Sequence, residues 1–169
     1  MTTNNKIELM APAGNFESLQ AALDNGCDSV YFGVEQLNMR ARASVNFTMD
    51  DLDEIAKRCE AKNVRSYLTL NTIIYDHDLS VVKTLINKAK EANITAVIAS
   101  DQAVIAMARS VGMEVHISTQ LNVTNIETIK FYSLFADTMV LSRELSLRQV
   151  KKITEQIEKE QIKGPNGNL

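Results

Sequence analysis

Several features that would point to particular classes of protein are missing from this sequence. No apolar run approaches the ~18 residues that a membrane span needs, and residues 1–6 are polar, unlike the apolar core of a signal peptide. The two cysteines, Cys27 and Cys59, lie far apart without a CxxC or Cys/His spacing, which predicts buried, reduced thiols and no metal site. We therefore expect a cytoplasmic protein.

Strong charge and the common nucleotide-binding motifs are also missing. The net charge of −3 over 169 residues provides no overall basic field that would attract nucleic acid or an anionic membrane. No GxGxxG or Walker A pattern follows the first predicted strand, and there is no GxSxG motif of a serine hydrolase. The composition, with 45% hydrophobic and 23% charged residues, is that of an ordinary folded domain.

Short apolar runs of strand length alternate with segments of helical period along the chain. Predicted strands begin near residues 7, 28, 64, 94, 114 and 137. A helix follows each strand, over residues 16–25, 48–62, 78–92, 101–111, 124–134 and 146–159. Strict alternation of this kind predicts a parallel sheet with right-handed crossovers. We expect one α/β domain over residues 1–159 and a polar tail or turn over residues 160–169.

The alternation of side chains along the strands favours a barrel over a doubly wound sheet. The bulkier apolar residues of each strand are expected to face the helices: Leu9, Val30, Phe32, Leu68, Leu70, Ile98, Val115, Ile117, Met139 and Leu141. The opposite face, which includes Val97 and Ala99, is polar on most strands, most of all at their C-terminal ends, where barrel active sites lie. A doubly wound sheet would have nearly continuous apolar strands. The prediction is a (β/α) TIM-type barrel that is incomplete, with six β/α units of the eight required.

The candidate substrate-binding residues lie at or just past the C-terminal ends of the strands. On the polar face they are Tyr31, Asn71, Asp101, His116, Ser118, Gln120 and Glu144, with Arg40 and Arg143 expected at the rim. His116 shares its face with Ser118 and Gln120 at period two, which favours a binding site. A serine and a histidine two residues apart on one strand do not form a nucleophile and its base, so the catalytic residues stay unassigned.

Two interpretations stay open for several charged residues. Arg143 either binds a carboxylate or phosphate with both guanidinium nitrogens or pairs with Glu144. Arg40 and Arg42 either have the same role or belong to a solvated loop. The sequence Asp-His-Asp at residues 76–78 is better explained by an N-cap at Asp78 than by a metal site.

Five motifs in order and spacing resemble the N-terminal region of the peptidase U32 family, also called collagenase-like proteases. They are ELMAPAG at residues 8–14, DSVYFG at 28–33, the Asn-containing end of the third strand, HISTQ at 116–120 and LSREL at 141–145. The resemblance covers residues from about 7 to 155. The better-understood members of the U32 family are similar to oxygen-independent hydroxylation proteins, which act on a tRNA or rRNA pyrimidine or on a ubiquinone precursor.

The resemblance implies three alternative functions. The chain is part of an RNA hydroxylation enzyme, or a peptidase (a hydrolase) as the family label says, or a non-catalytic domain that needs a partner or a downstream region. Several members of the family hold an iron–sulfur cluster through four cysteines downstream of this region, to which Cys27 and Cys59 do not correspond. The resemblance therefore implies no cofactor in this chain, and a cluster only in a full-length parent protein. Expected partners are tRNA, rRNA or a small anionic ligand, together with self-association through open strand edges. The chain alone is expected to be inactive.

Overall fold

The computed structural model describes residues 7–34, Leu37 and residues 47–167. Within these residues the strands are β1 (Met10–Ala13), β2 (Ser29–Phe32), β3 (Arg65–Leu70), β4 (Ala96–Ala99), β5 (Glu114–Ile117) and β6 (Thr138–Met139). The helices are α1 (Phe16–Asp24), α2 (Leu52–Ala61), α3 (Leu79–Glu91), α4 (Gln102–Ser110), α5 (Ile126–Ser133) and α6 (Leu147–Glu160). None of the described helices is both long enough and apolar enough to cross a membrane.

The six strands form one parallel sheet in which strand order follows chain order from β1 to β6. A helix lies between each strand and the next, and the described strands do not close on themselves. The predicted fold is therefore confirmed: the chain is an incomplete (β/α) barrel of TIM type.

Capping residues define the ends of several helices. Asn15 accepts a hydrogen bond from the Ser18 backbone at 2.8 Å, and Ser146 and Gln149 form a capping box at the start of α6. Thr48 and Asp51 form a second box before a 3₁₀ turn that leads into α2. Gly26 and Gly112 end α1 and α4 with positive φ angles of 78° and 70°, which glycine adopts without steric cost. These local signals explain why the predicted element order is correct.

The helices cover one face of the sheet. Buried residues of all six helices pack against the same face of the sheet; among them are Leu19, Ile55, Leu85, Val104, Ile129 and Ile153. Fully burying one such side chain stabilises the fold by roughly 1.5–3 kcal/mol. The opposite, lumenal face carries a separate small cluster of Tyr67, Ala96 and Ile98, with Tyr31 packed against it. As expected for a barrel, the helices lie on one side and the lumen on the other.

The prediction for β4 is wrong. Ile98 was expected to face the helices, but Val97 and Ala99 lie in the helix-facing core and Ile98 lies on the lumenal face. Val97 is paired with Leu68 of β3 and with Val115 of β5, and paired residues of a parallel sheet share a face. Since all four residues of β4 are apolar, its sequence alone carried no signal for which set faces the helices.

The first strand also begins later than predicted. β1 starts at Met10 and includes Pro12, which is paired with Tyr31, whereas the strand was expected to begin near residue 7. Proline, which has no N–H to donate, is tolerated because β1 is an edge strand of this sheet. Leu9 is 58% exposed, so the expectation that it packs against the helices is also wrong.

Residues 164–167 form a turn that contacts the start of β6. The backbone N–H of Asn166 donates to the buried Asp137 carboxylate at 2.7 Å, and its side-chain amide donates to the other oxygen at 3.0 Å. The Arg109 guanidinium lies 3.6 Å from the same carboxylate. The buried charge is thus compensated by a cation and two hydrogen bonds.

Both cysteines are buried free thiols, as predicted. Burial raises the pKa of Cys59 to about 11, and it also raises the pKa of Cys27.

We expect Cys59 in the folded chain at neutral pH to react with a thiol reagent roughly a hundredfold more slowly than in the urea-unfolded chain, because the thiolate is the reactive form. A Cys27→Ala variant isolates the Cys59 signal, and a native rate equal to the unfolded rate would contradict the prediction.

Candidate functional site

Three of the predicted site residues meet at the C-terminal end of the sheet. The Asn71 amide donates to Ser118 Oγ at 3.3 Å and to Gln120 Oε1 at 3.4 Å. The Ser118 hydroxyl also donates to Gln120 Oε1. Asn71 is half-buried, Ser118 is buried and Gln120 is exposed, so the group extends from the lumen to the surface. We call Asn71, Ser118 and Gln120 the amide cluster.

The backbone places the amide cluster on two strands that are not neighbours. Asn71 follows β3, and Ser118 follows β5, where its N–H donates to Ala99 O at 2.8 Å and extends the ladder beyond the strand. Gln120 lies in a 3₁₀ turn, Thr119–Leu121, directly after Ser118. β4, which lies between β3 and β5, ends at Ala99. The side chains of β3 and β5 can therefore meet beyond its end.

Ser142 and Glu144 form a separate pair after β6. The Ser142 hydroxyl donates to the Glu144 carboxylate, and this hydrogen bond lowers the pKa of the exposed Glu144. Ser142 is held by a backbone bond of 2.9 Å to Val123 O, so it lies at the same end of the sheet as the amide cluster. Arg143 is exposed, and its charge contributes less to lowering the Glu144 pKa than the Ser142 bond does.

His116 belongs to a different group of polar side chains, nearer the N-terminal ends of the strands. Its Nε2 lies 2.7 Å from Glu114 Oε1, and its ring packs edge-on against Tyr67 with 4.6 Å between the centroids. The Tyr67 hydroxyl donates to Glu8 Oε1 at 2.7 Å, and the Arg65 guanidinium pairs with the other oxygen of Glu8. We call Glu8, Arg65, Tyr67, Glu114 and His116 the lumenal network.

Both carboxylates of the lumenal network favour their ionised form. Burial by itself would raise the pKa of Glu8, but the hydroxyls of Ser29 and Tyr67 and the charge of Arg65 together lower it. The hydrogen bond from His116 lowers the pKa of Glu114 despite partial burial. Burial and the neighbouring Glu8 carboxylate strongly raise the pKa of Tyr67, which stays protonated and donates.

The buried Ser29 hydroxyl lies beside this network. It makes no hydrogen bond of standard geometry within the described residues, although it is near enough to Glu8 to favour the carboxylate. Of the network, only His116 was among the predicted site residues, although the sequence also predicted Glu8 and Tyr67 on the same lumenal face. The alternation that identified His116 also places Arg65 and Glu114 on the lumenal face, and extending it toward the strand starts would have found them.

The expected convergence of all the predicted residues is therefore only partly correct. Asp101 caps α4, where its carboxylate accepts from the Ala103 N–H at 2.8 Å. Tyr31 faces the lumen and packs against the small cluster around Tyr67 and Ile98. Arg40, like Arg42, lies outside the described residues.

The described residues contain no group of three or more His, Cys, Asp or Glu side chains arranged to hold a metal ion. His77 lies in a 3₁₀ turn, exposed and stacked on Tyr75. An iron–sulfur cluster typically takes four cysteine thiolates. Cys27 and Cys59 are two buried thiols with raised pKa values, so the cysteines of this chain do not fit such a cluster.

A parallel sheet with helices on one face and polar side chains at its C-terminal end, the end where barrel active sites lie, defines a TIM-type barrel domain. The model of Peptidase family U32 matches residues 14–162 of the sequence. The chain belongs to peptidase family U32.

Its relatives carry different functional names. A collagenase of Porphyromonas gingivalis is 53% identical over 164 residues, which cover 97% of this chain and 40% of that protein. The tRNA hydroxylation protein P of Helicobacter pylori is 34% identical, covering 92% of this chain and 38% of that protein. The 23S rRNA 5-hydroxycytidine C2501 synthase of Escherichia coli is 30% identical, and the match covers 89% of this chain and 23% of that protein. The chain thus spans two-fifths or less of the length of these relatives.

A solved structure supports the fold. The U32 peptidase Mk0906 superimposes with a TM-score of 0.72, covering 92% of this chain and 67% of that chain. The two sequences are 14% identical, so the likeness concerns the fold alone.

Removing the Tyr67 hydroxyl tests the lumenal network. We expect Tyr67→Phe to lower the free energy of unfolding by about 1–2 kcal/mol, because the variant deletes a hydrogen bond to a carboxylate. Urea unfolding followed by circular dichroism measures the change. Tyr75→Phe, at a residue that is 60% exposed, is the matched control and should stay within about 0.5 kcal/mol. Equal effects of the two substitutions would contradict the prediction.

The same network predicts acid sensitivity. Because the folded-state pKa values of Glu8 and Glu114 lie below the ordinary 4.5, their stabilisation is present above that pH and is lost as pH falls through the folded values. We expect the unfolding free energy to decrease below about pH 4.5, and to decrease less steeply in a Glu8→Gln, Glu114→Gln double variant. Glu158→Gln, on the exposed side of α6, should keep the original slope. A double variant with that same slope would disprove the assignment.

Proposed function

We propose that this chain provides the pyrimidine-binding part of an RNA hydroxylation enzyme, with the amide cluster as the group that contacts the base. Support comes first from relatives at 30–34% identity that are named for tRNA hydroxylation and for 5-hydroxycytidine synthesis in 23S rRNA. An RNA substrate would be met in the cytoplasm, the compartment that the sequence predicts. Hydroxylation itself is assigned to the longer protein, since the chain spans under two-fifths of these relatives.

The observation that carries the proposal is the meeting of Asn71 and Gln120 beyond the end of β4. Their side-chain amides offer donors and acceptors together, and a pyrimidine edge presents the complementary set. Proteins that recognise RNA by sequence commonly hydrogen-bond the edges of unstacked bases in this way. With a net charge of −3, contacts to the base are favoured over general attraction to phosphates.

A peptidase is the second candidate, because the relative named collagenase is 53% identical. Peptide hydrolysis needs an activated nucleophile or a metal-bound water. In the described part of the chain the Ser118 hydroxyl is bonded to Gln120, and His116 is directed at Glu114, so the two do not form a nucleophile and base. The site therefore favours RNA binding.

Fluorescence anisotropy with short single-stranded oligoribonucleotides tests the proposal. We expect a cytidine- and uridine-rich oligonucleotide to bind more tightly than a purine-rich one, and Asn71→Ala or Gln120→Ala to weaken the pyrimidine complex about tenfold, as the loss of one or two hydrogen bonds predicts. Gln156→Ala, on α6, is the matched control and should bind normally.

Two results would count against the proposal. One is equal binding of both oligonucleotides, unaffected by either amide substitution. The other is cleavage of gelatin by the unaltered chain that Ser118→Ala abolishes, which would establish the peptidase instead.

A further inference from the structure

The contact between His116 and Glu114 identifies which ring nitrogen carries a proton. The Nε2 atom of His116 lies 2.7 Å from Glu114 Oε1. The lowered pKa of Glu114 makes this carboxyl an ionised group at neutral pH, and an ionised carboxylate accepts hydrogen bonds but cannot donate. The proton between the two atoms therefore belongs to Nε2.

The remaining groups around His116 determine the charge that it meets. Tyr67 of β3 contacts the ring, and Glu114 of its own strand β5 contacts Nε2. Glu8, from the segment before β1, acts on His116 through its charge, and Arg65 of β3 lies against Glu8 and acts on Glu114 through its charge. The Tyr67 hydroxyl is already used by Glu8. Two carboxylates face one guanidinium, so the network has one excess negative charge when His116 is neutral and none when it is protonated.

The position of His116 connects this proton with the candidate pocket. Ser118 follows two residues later on the same lumenal face, about 6–7 Å further along the strand direction. His116 therefore lies beneath the amide cluster, and its side chain is only 8% exposed. Nearly buried, it is shielded from bulk water and faces the lumen.

We propose that Glu114 is a positioning residue that keeps a proton on Nε2 of His116, so that Nδ1 is left as the acceptor nitrogen for a ligand in the lumen. The ligand class follows from the proposed function, on which this part rests: a pyrimidine nucleotide, whose base carries N–H donors and ring acceptors. The tautomer itself rests only on the geometry of the lumenal network.

Nitrogen NMR of the full chain labelled with ¹⁵N-histidine tests the tautomer. The sequence contains two histidines, and His77, whose side chain is 79% exposed, serves as the internal reference. At a pH at which both imidazoles are neutral we expect His116 to carry its proton on Nε2, and His77 to show a mixture of tautomers. A neutral His116 with its proton on Nδ1, or with the same mixture as His77, would overturn the proposal.

Two substitutions separate positioning from simple packing. Glu114→Gln should produce a mixture of tautomers, because a neutral amide both donates and accepts and so does not select one ring nitrogen. Tyr67→Phe is the matched control, since it deletes the bond to Glu8 and leaves the Glu114 contact in place. It should keep the original tautomer. If Glu114→Gln does not fold, the spectrum of the unaltered chain still decides the proposal.

Titration with cytidine 5′-monophosphate tests the link to the pocket. We expect the Nδ1 signal of His116 to shift in a saturable manner and that of His77 to stay unchanged. Binding that depends on Asn71 but leaves His116 unaffected would overturn the ligand role of His116 while the proposed function stands. Absence of any binding would contradict the proposed function, and the tautomer spectra would then decide the role of Glu114 on their own.

Discussion

The register of the six parallel strands is the constraint on which the rest of the structure depends. Phe32, Leu68, Val97 and Val115 lie in one row across four strands, and all are buried against the helices. A slip of one residue in any strand would turn its apolar set toward the lumen. Because exposing this apolar row to water is unfavourable, the register is fixed. The polar residues that alternate with the row are therefore kept on the lumenal face.

That lumenal face contains two polar groups with different chemistry. The amide cluster, at the C-terminal end, consists of neutral donors and acceptors that extend to the surface. The lumenal network, nearer the N-terminal ends, consists of charges that largely compensate one another. Barrel lumens are normally filled by side chains, and here part of that filling is ionised. We propose base contacts for the first group and a fixed tautomer of His116 for the second.

The open sheet bears on what this chain does alone. β1 and β6 each have one unpaired side among the described strands, and relatives of the family are more than twice as long. Unpaired strand edges are surfaces that proteins usually cover. The expectation that the chain self-associates through these edges stays a prediction, as does the expectation that the chain alone is inactive.

The sequence by itself determined the order and type of the elements, because those depend on local chemistry. Thr48 and Ser146 mark helix starts, Gly26 and Gly112 mark helix ends, and the polar alternation of β5 identified the lumenal side of that strand. The resemblance to the U32 family was likewise readable from short motifs, and the family model agrees.

Only the tertiary structure decided which residues meet. The uniformly apolar β4 took its orientation from its neighbours, and Pro12 became part of a strand because it lies at an edge. Glu8 reaches Tyr67, and Tyr67 reaches His116, across large separations in the chain. Contacts of this kind depend on strand register, which is set by packing of the whole sheet against its helices rather than by any local segment.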